Sequence, residues 1–174
     1  MNPKNNITVI IPAAGNGSRF GGSIPKQFLS LGDETVLEKS VNLFLEIPCI
    51  REVIVAIDSN ENLVKSQSFY NDARVRIVEG GNTRSESVFN ALAEVDQSIE
   101  IIVIHDAARP WLRKNHFEDL LSQFINDHSV EGIFPIIPAT DSLRMKEGEN
   151  LIPVKRNQFL HVQTPQIFYH EPLK

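Results

Sequence analysis

Ile7-Thr8-Val9-Ile10-Ile11-Pro12-Ala13-Ala14-Gly15-Asn16-Gly17-Ser18-Arg19 sets the pattern for the chain: an apolar run, then a glycine-rich turn. The run is short and closed by a turn, so Ile7–Pro12 reads as a buried strand. Two cations, Arg19 and Lys26, stand seven residues apart beyond it, with Pro25 before the second. Glycines let backbone N–H groups approach phosphate oxygens, and cations neutralise them, so this combination suits a nucleoside triphosphate. Its spacing differs from two commoner phosphate loops. A dinucleotide-binding G-x-G-x-x-G would put a third glycine where Phe20 stands, which argues against a nicotinamide-dependent oxidoreductase. The Gly-Lys-Ser/Thr triplet of a P-loop does not follow.

Outward from this stretch, strands alternate with helices. Val53–Ile57, Val75–Val78, Ile101–Ile104 and Gly132–Ile137 read as four more strands. Val36, Leu37, Val41, Phe44 and Leu45 recur at helical spacing until Pro48 ends them. Further helices are expected over Glu61–Tyr70, around Val88, Leu92 and Val95, and from Phe117 to Ile125. Apolar strands alternating with helices predict an α/β fold, a Rossmann-like, mostly parallel sheet with helices on both faces. Ligands then lie beyond the carboxyl ends of the strands, where the loops Ala13–Lys26, Gly80–Ser87 and His105–Pro110 converge. After Pro138 the pattern changes. Asp141–Met145 and Ile152–Arg156 flank the polar turn Lys146–Asn150, a β-hairpin arm of about 139–158 with no helix to cover it. Such an arm exposes apolar surface, so a homodimer is expected.

The bulk numbers suit one soluble domain over all 174 residues, with 41% hydrophobic and 22% charged residues. A net charge of -5 argues against a nucleic-acid partner, so any phosphate site must be a local cluster of cations. No apolar run is long enough to span a bilayer, and no membrane partner is expected. The single cysteine, Cys49, excludes an internal disulfide framework and suits a reducing compartment. With one lysine and then a strand at the N-terminus, no secretory signal is read and the cytoplasm is expected.

The loops carry the chemistry. In Gly80-Gly81-Asn82-Thr83-Arg84-Ser85-Glu86-Ser87, Thr83 or Asn82 can cap the next helix with Glu86 as in a capping box. Backbone groups at Gly81 and the side chains of Asn82 and Ser87 are also placed to read a base edge. Asp106, after the most apolar strand, is well placed to hold Mg²⁺ beside a triphosphate. Arg109 can meet a second anionic substrate, or pair with Asp106 and shape the turn. Lys155-Arg156 lies on the arm, either as a solvated face or reaching a neighbour's site. Gln163-Thr164-Pro165-Gln166-Ile167-Phe168 yields no role on physical grounds. The five histidines show no ligand spacing, and His116, His128 and His170 read as surface residues.

Together these segments resemble the cytidylyltransferase family that acts on 2-C-methyl-D-erythritol 4-phosphate in non-mevalonate isoprenoid synthesis. The matching pieces are Pro12 to Arg19, Pro25-Lys26-Gln27-Phe28-Leu29, Gly80-Gly81 with Arg84 and Ser87-Val88, His105 to Pro110, Asp141-Ser142, and Gln163 to Phe168. The resemblance implies attack of the acceptor's phosphate oxygen on the α-phosphorus of CTP, with pyrophosphate leaving and no covalent enzyme intermediate. Arg19 and Lys26 would stabilise the crowded α-phosphate and the leaving group. Pro12, Ala13, Ala14, Gly15, Asn16, Gly17 and Arg84 would cradle the triphosphate. Gly81, Asn82 and Ser87 would hold cytosine. Mg²⁺ would bridge the phosphates near Asp106, and Arg109 would contact the sugar alcohol. Arg156, with Asp141 and the Ser142 hydroxyl, would bind the acceptor phosphate from the partner subunit's arm. Asp141-Ser142 replaces the usual Asp-Thr, and Lys155-Arg156 the usual Asp-Arg. Family members run several tens of residues beyond the Thr-Pro-Gln segment, where this chain stops at Lys174. An inactive CTP-binding fragment is therefore one alternative, and a ribitol 5-phosphate cytidylyltransferase of the same fold is the other.

Overall fold

A computed structural model describes residues 6–15 and 24–173. Strand β1 (Ile7–Pro12) is followed by a small hairpin, β2 (Ser30–Leu31) and β3 (Glu34–Thr35), then helix α1 (Val36–Leu45) and strand β4 (Ile50–Ile57). Strand β5 (Val75–Glu79), helix α2 (Arg84–Ala93), strand β6 (Ile101–Ile104) and helix α3 (Lys114–Asn126) continue the alternation. Six short strands come last: β7 (Gly132–Ile133), β8 (Ile136–Pro138), β9 (Arg144–Glu147), β10 (Asn150–Pro153), β11 (Leu160–Val162) and β12 (Gln166–Tyr169).

The main sheet has the order β5-β4-β1-β6-β12-β7. Its first four strands are parallel, and β12 runs antiparallel between β6 and β7. Side chains alternate across it as the period of two requires. Val9, Ile11, Val53 and Val55 face α1 and α3, where they meet Leu37, Val41, Phe44, Phe117 and Phe124. Ile10, Ile54, Ala56 and Ile102 face α2 and its Val88 and Ala91. Both faces are covered, which is why these strands read as continuous apolar runs. Helix α1 starts at a full capping box: the Glu38 N–H donates to Thr35 Oγ1 at 3.1 Å, and the Thr35 N–H donates to Glu38 Oε2 at 2.7 Å. No helix among the described residues is long and apolar enough to cross a membrane.

Three expectations change. The helix expected over Glu61–Tyr70 is a single 3-10 turn, Leu63–Ser66. The side chains around it bond locally: Asp58 Oδ1 accepts the Asn60 N–H at 2.8 Å, and Glu61 Oε1 accepts the Leu63 N–H at 2.8 Å. Such side-chain acceptors offer the backbone an alternative to a helix. The strand expected over Gly132–Ile137 is split. Gly132–Ile133 joins the main sheet as β7, whereas β8 pairs with β11 in a separate ribbon. Pro135 lies at the break and has no N–H to donate to a ladder. His170 is buried, with Nδ1 3.0 Å from the Ile99 carbonyl, not on the surface.

The hairpin is present as β9 and β10, paired Glu147↔Asn150, with Gly148 at φ +60° in the tight turn. It is mostly solvent-exposed, including Met145 and Leu151. At its root the β8–β11 ribbon exposes Ile136, Ile137, Leu160 and Val162.

The loop after β5 lies directly on the loop after β1. A Cβ at Gly80 would stand 2.4 Å from the Ala14 Cβ and 3.3 Å from the Ala56 carbonyl carbon. Neither atom can swing away, so only glycine lets the two loops touch. Gly80→Ala is expected to cost about 1–3 kcal/mol in urea unfolding, the range of an overpacked site. A variant of unchanged stability would mean that the loops separate freely.

Candidate functional site

Three loops leave the carboxyl ends of β1, β5 and β6 and enclose a cavity of about 610 Å³. Pro12, Ala13, Ala14 and Gly15 form one wall, with Lys26 and Gln27 beside them. Gly81, Asn82, Thr83, Arg84 and Ser87 form the second, and Asp106 to Arg109 the third. The cavity thus unites most of the residues singled out in the sequence. Asn16, Gly17 and Arg19 lie outside the described residues. Asp141, Ser142 and Arg156 do not line it. They are exposed at the base of the arm, where Arg156 Nη1 donates to the Thr140 carbonyl at 2.6 Å.

Each wall is held by hydrogen bonds that fix its backbone. The Ala13 N–H continues the sheet by donating to the Ala56 carbonyl at 2.7 Å. Buried Gln27 donates from Nε2 to the carbonyls of Ala13 at 2.7 Å and Gly15 at 3.2 Å. Those two bonds fix the described part of the loop beside the cavity. In the second wall, Ser87 Oγ accepts the Gly81 N–H at 3.0 Å and donates to the Thr83 carbonyl at 2.9 Å. Thr83 caps α2 by accepting the Glu86 N–H at 3.1 Å. Glu86 departs from the expected capping box: its carboxylate takes the N–H of Asn82, at 2.8 Å, rather than that of Thr83.

Charge concentrates on the third wall. Asp106 Oδ1 accepts from Arg84 Nε at 2.8 Å, and Oδ2 from Arg109 Nε at 3.0 Å. Burial pushes the Asp106 carboxyl up, but Arg84 and then Arg109 more than reverse this and hold it below the ordinary value of 3.8. The Asp106–Arg109 pair foreseen as a turn-shaping contact is thus present, and Arg84 joins it. Three residues without an assigned role complete the wall. Arg84 Nη2 donates to Gln166 Oε1 at 3.2 Å, Arg109 Nη1 donates to Gln163 Oε1, and the Asp106 N–H donates to Thr164 Oγ1 at 3.3 Å. Together with Gln27, these are the site residues that sequence reasoning missed. Their work is to bond groups distant in sequence, and a polar residue beside Pro165 gives no sign of that.

His105 is wholly buried behind Asp106. Burial drives its pKa down from 6.5 to about 4, only partly opposed by its bond to the Arg109 carbonyl and by the Asp106 charge. The unfolded chain takes up this proton near pH 6.5 and the native chain near pH 4, so the unfolded state binds more protons between those values. The contribution to stability is complete above pH 6.5 and is lost as the pH falls towards 4. Asp106, held low, acts in the same direction under more acidic conditions. Urea unfolding followed from pH 7 to pH 4 should show a loss on the order of 3 kcal/mol from His105. A flat profile would contradict a buried, uncharged ring.

Known proteins resemble this chain in sequence and in fold. The family model described as 2-C-methyl-D-erythritol 4-phosphate cytidylyltransferase (IspD) matches residues 7–174. A 2-C-methyl-D-erythritol 4-phosphate cytidylyltransferase of Blochmanniella pennsylvanica is 41% identical over 172 residues, spanning 97% of this chain and 72% of that protein. That of Haemophilus ducreyi is 38% identical over 169 residues, with the same two shares of 97% and 72%. The crystal structure of the Francisella tularensis enzyme of the same name superposes with a TM-score of 0.78 at 30% identity, over 97% of this chain and 74% of that one.

Proposed function

The chain belongs to the 2-C-methyl-D-erythritol 4-phosphate cytidylyltransferase family, and from that premise we propose that it transfers the cytidylyl group of CTP to 2-C-methyl-D-erythritol 4-phosphate, with release of pyrophosphate, as a step in isoprenoid precursor synthesis. The observation that carries the reading is the convergence of three loops on one cavity, with Lys26, Arg84 and Arg109 on its walls. An acidic chain that gathers cations there has made a local site for phosphate groups.

The acceptor's phosphate oxygen attacks the α-phosphorus, the bond to the β-phosphate breaks, and pyrophosphate leaves with the bonding electrons. Catalysis is then positioning and charge stabilisation. Pro12, Ala13, Ala14 and Gly15, continued by Asn16 and Gly17, cradle the triphosphate, with Arg84 beside them. Lys26 and Arg19 neutralise the negative charge that builds on the α-phosphate and the departing pyrophosphate. Gly81, Asn82 and Ser87 hold cytosine. Asp106 and Arg109 face the acceptor.

A divalent metal such as Mg²⁺ fits one part of this site. Among the described residues, no three His, Cys, Asp or Glu side chains cluster as a metal cage. Asp106 is the only carboxylate on the described cavity walls. One carboxylate plus phosphate oxygens is the donor set of an ion carried on a nucleotide, not of an ion held by protein alone. Asp106 would hold such an ion, which supplies charge neutralisation across the phosphates.

We read the chain as one nucleotidyltransferase domain that works as a homodimer. The exposed apolar side chains of the arm and its root, and the place of Arg156 outside its own cavity wall, support that reading. Arg156, with Asp141 and Ser142, then binds the acceptor phosphate in the partner's site. CTP and a reduced, half-buried Cys49 both suit the cytoplasm.

Pyrophosphate release from CTP and Mg²⁺ should require 2-C-methyl-D-erythritol 4-phosphate. Release with ribitol 5-phosphate instead would move the acceptor to that alternative, and CTP binding without release from either would leave a nucleotide-binding protein. Lys26→Ala should lower turnover by about 10²-fold or more without altering folding. Arg156→Ala should raise the acceptor KM. Mixed dimers of the two variants keep one site with both residues intact, so activity should return on mixing. No return in verified mixed dimers would show that Arg156 does not act across the interface.

A further inference from the structure

The turn Asp106–Arg109 is a thin partition. On one side lies the 610 Å³ cavity, and on the other a second of about 660 Å³, bordered by His105, Arg109, Trp111, Gln163, Thr164 and Pro165. Only Ala107 at its centre packs into the core, so hydrogen bonds must fix its ends. Its own backbone gives one, from the Arg109 N–H to the Asp106 carbonyl at 3.1 Å. Ser40 Oγ gives a second, donating to the Ala107 carbonyl at 2.9 Å, and His105 holds the two ends. Its Nε2 lies 3.1 Å from the Arg109 carbonyl, which can only accept, so Nε2 carries the hydrogen. Nδ1 is then an acceptor, and at 3.1 Å it takes the hydroxyl hydrogen of Thr164. The Thr164 oxygen in turn accepts the Asp106 N–H at 3.3 Å. One ring therefore reaches both ends of the turn. The residue is fixed in its own place, because its backbone N–H donates to the Ile10 carbonyl at 3.0 Å and Phe44 packs edge-on to the ring at 5.3 Å.

We infer that His105 is a positioning residue for the acceptor half of the reaction: by bonding the Arg109 carbonyl directly and the Asp106 amide through Thr164, its imidazole sets the orientation in which Asp106 and Arg109 meet the acceptor. It touches no substrate and moves no proton. The nucleotide half of the site is held by other groups, Gln27 and Ser87, and does not depend on it. The inference rests on the transferase reading for the name of the acceptor, but its structural content does not.

The two links can be cut separately. His105→Gln keeps a donor near the Nε2 position and loses the acceptor for Thr164, whereas His105→Asn keeps an acceptor near Nδ1 and loses the bond to Arg109. Both should retain CTP affinity within about twofold and lose about tenfold or more in kcat/KM for the acceptor, since small misplacements of reacting partners are costly. Thr164→Val combined with His105→Gln should be no worse than the poorer single variant, because both break one chain of bonds. Thr164→Ser should behave as the parent. Amide hydrogen exchange at Ala107, Ala108 and Arg109 should accelerate about tenfold or more in both His105 variants while exchange in β1 is unchanged. Acceptor kinetics and turn exchange that stay at parental values would overturn the inference, and so would an equal loss for CTP and acceptor. If the parent itself turns over no acceptor, the transferase reading fails, and the exchange measurement still decides the role of His105.

Discussion

The position of β1 is the constraint from which the site follows. It is flanked by parallel strands on both sides and buried on both faces, so none of its backbone groups can seek water. Its neighbours must be extended, apolar and in register with it: Val9 stands beside Val53 on one side and Val103 on the other. Parallel strands need long crossovers, which place α1, α2 and α3 on the two faces of the sheet. They also bring the ends of β1, β4, β5 and β6 to one edge. The ladder continues a residue into the loops, through Ala13 to Ala56 and His105 to Ile10, so the cavity walls begin as extensions of the sheet.

Much of this was legible because burial leaves a pattern in composition. Ile7–Pro12 and Ile101–Ile104 were read with their observed limits, since nothing but a covered strand explains so short and apolar a run. The span around Leu63 failed for the opposite reason. Its apolar residues follow a polar run in which the Asp58 and Glu61 side chains satisfy the backbone locally. Parallel pairing of β1, β4, β5 and β6 was legible, but the direction of the last strand was not: β12 is antiparallel, yet Gln166–Tyr169 carries no residue that distinguishes antiparallel from parallel pairing. In the site, glycines and cations stood out because together, directly after a buried strand, they suit phosphate groups. Gln27, Thr164 and Gln166 did not, because each acts only on a group that the fold brings near.

Asp106 gives the free site a particular electrostatic state. Both guanidiniums on that wall are already committed to one carboxylate. An arriving phosphate therefore meets cations that are oriented but not idle, and it must offer more than a single negative charge to draw them away. The acidic residue thus holds its two basic neighbours in a fixed orientation.

The continuity of residues 160–166 sets the boundaries of any interchangeable module. Strand β11 forms half of the ribbon at the root of the arm, and directly after it the same chain anchors Arg109, Asp106 and Arg84 through Gln163, Thr164 and Gln166. The arm and the charged wall are successive parts of one strand of polypeptide. Recombining acceptor preferences between relatives by exchanging the hairpin alone would join a new arm to an old set of anchors. The natural unit of exchange runs from β8 through Gln166, and chimaeras cut inside it would carry mismatched halves of one mechanical element.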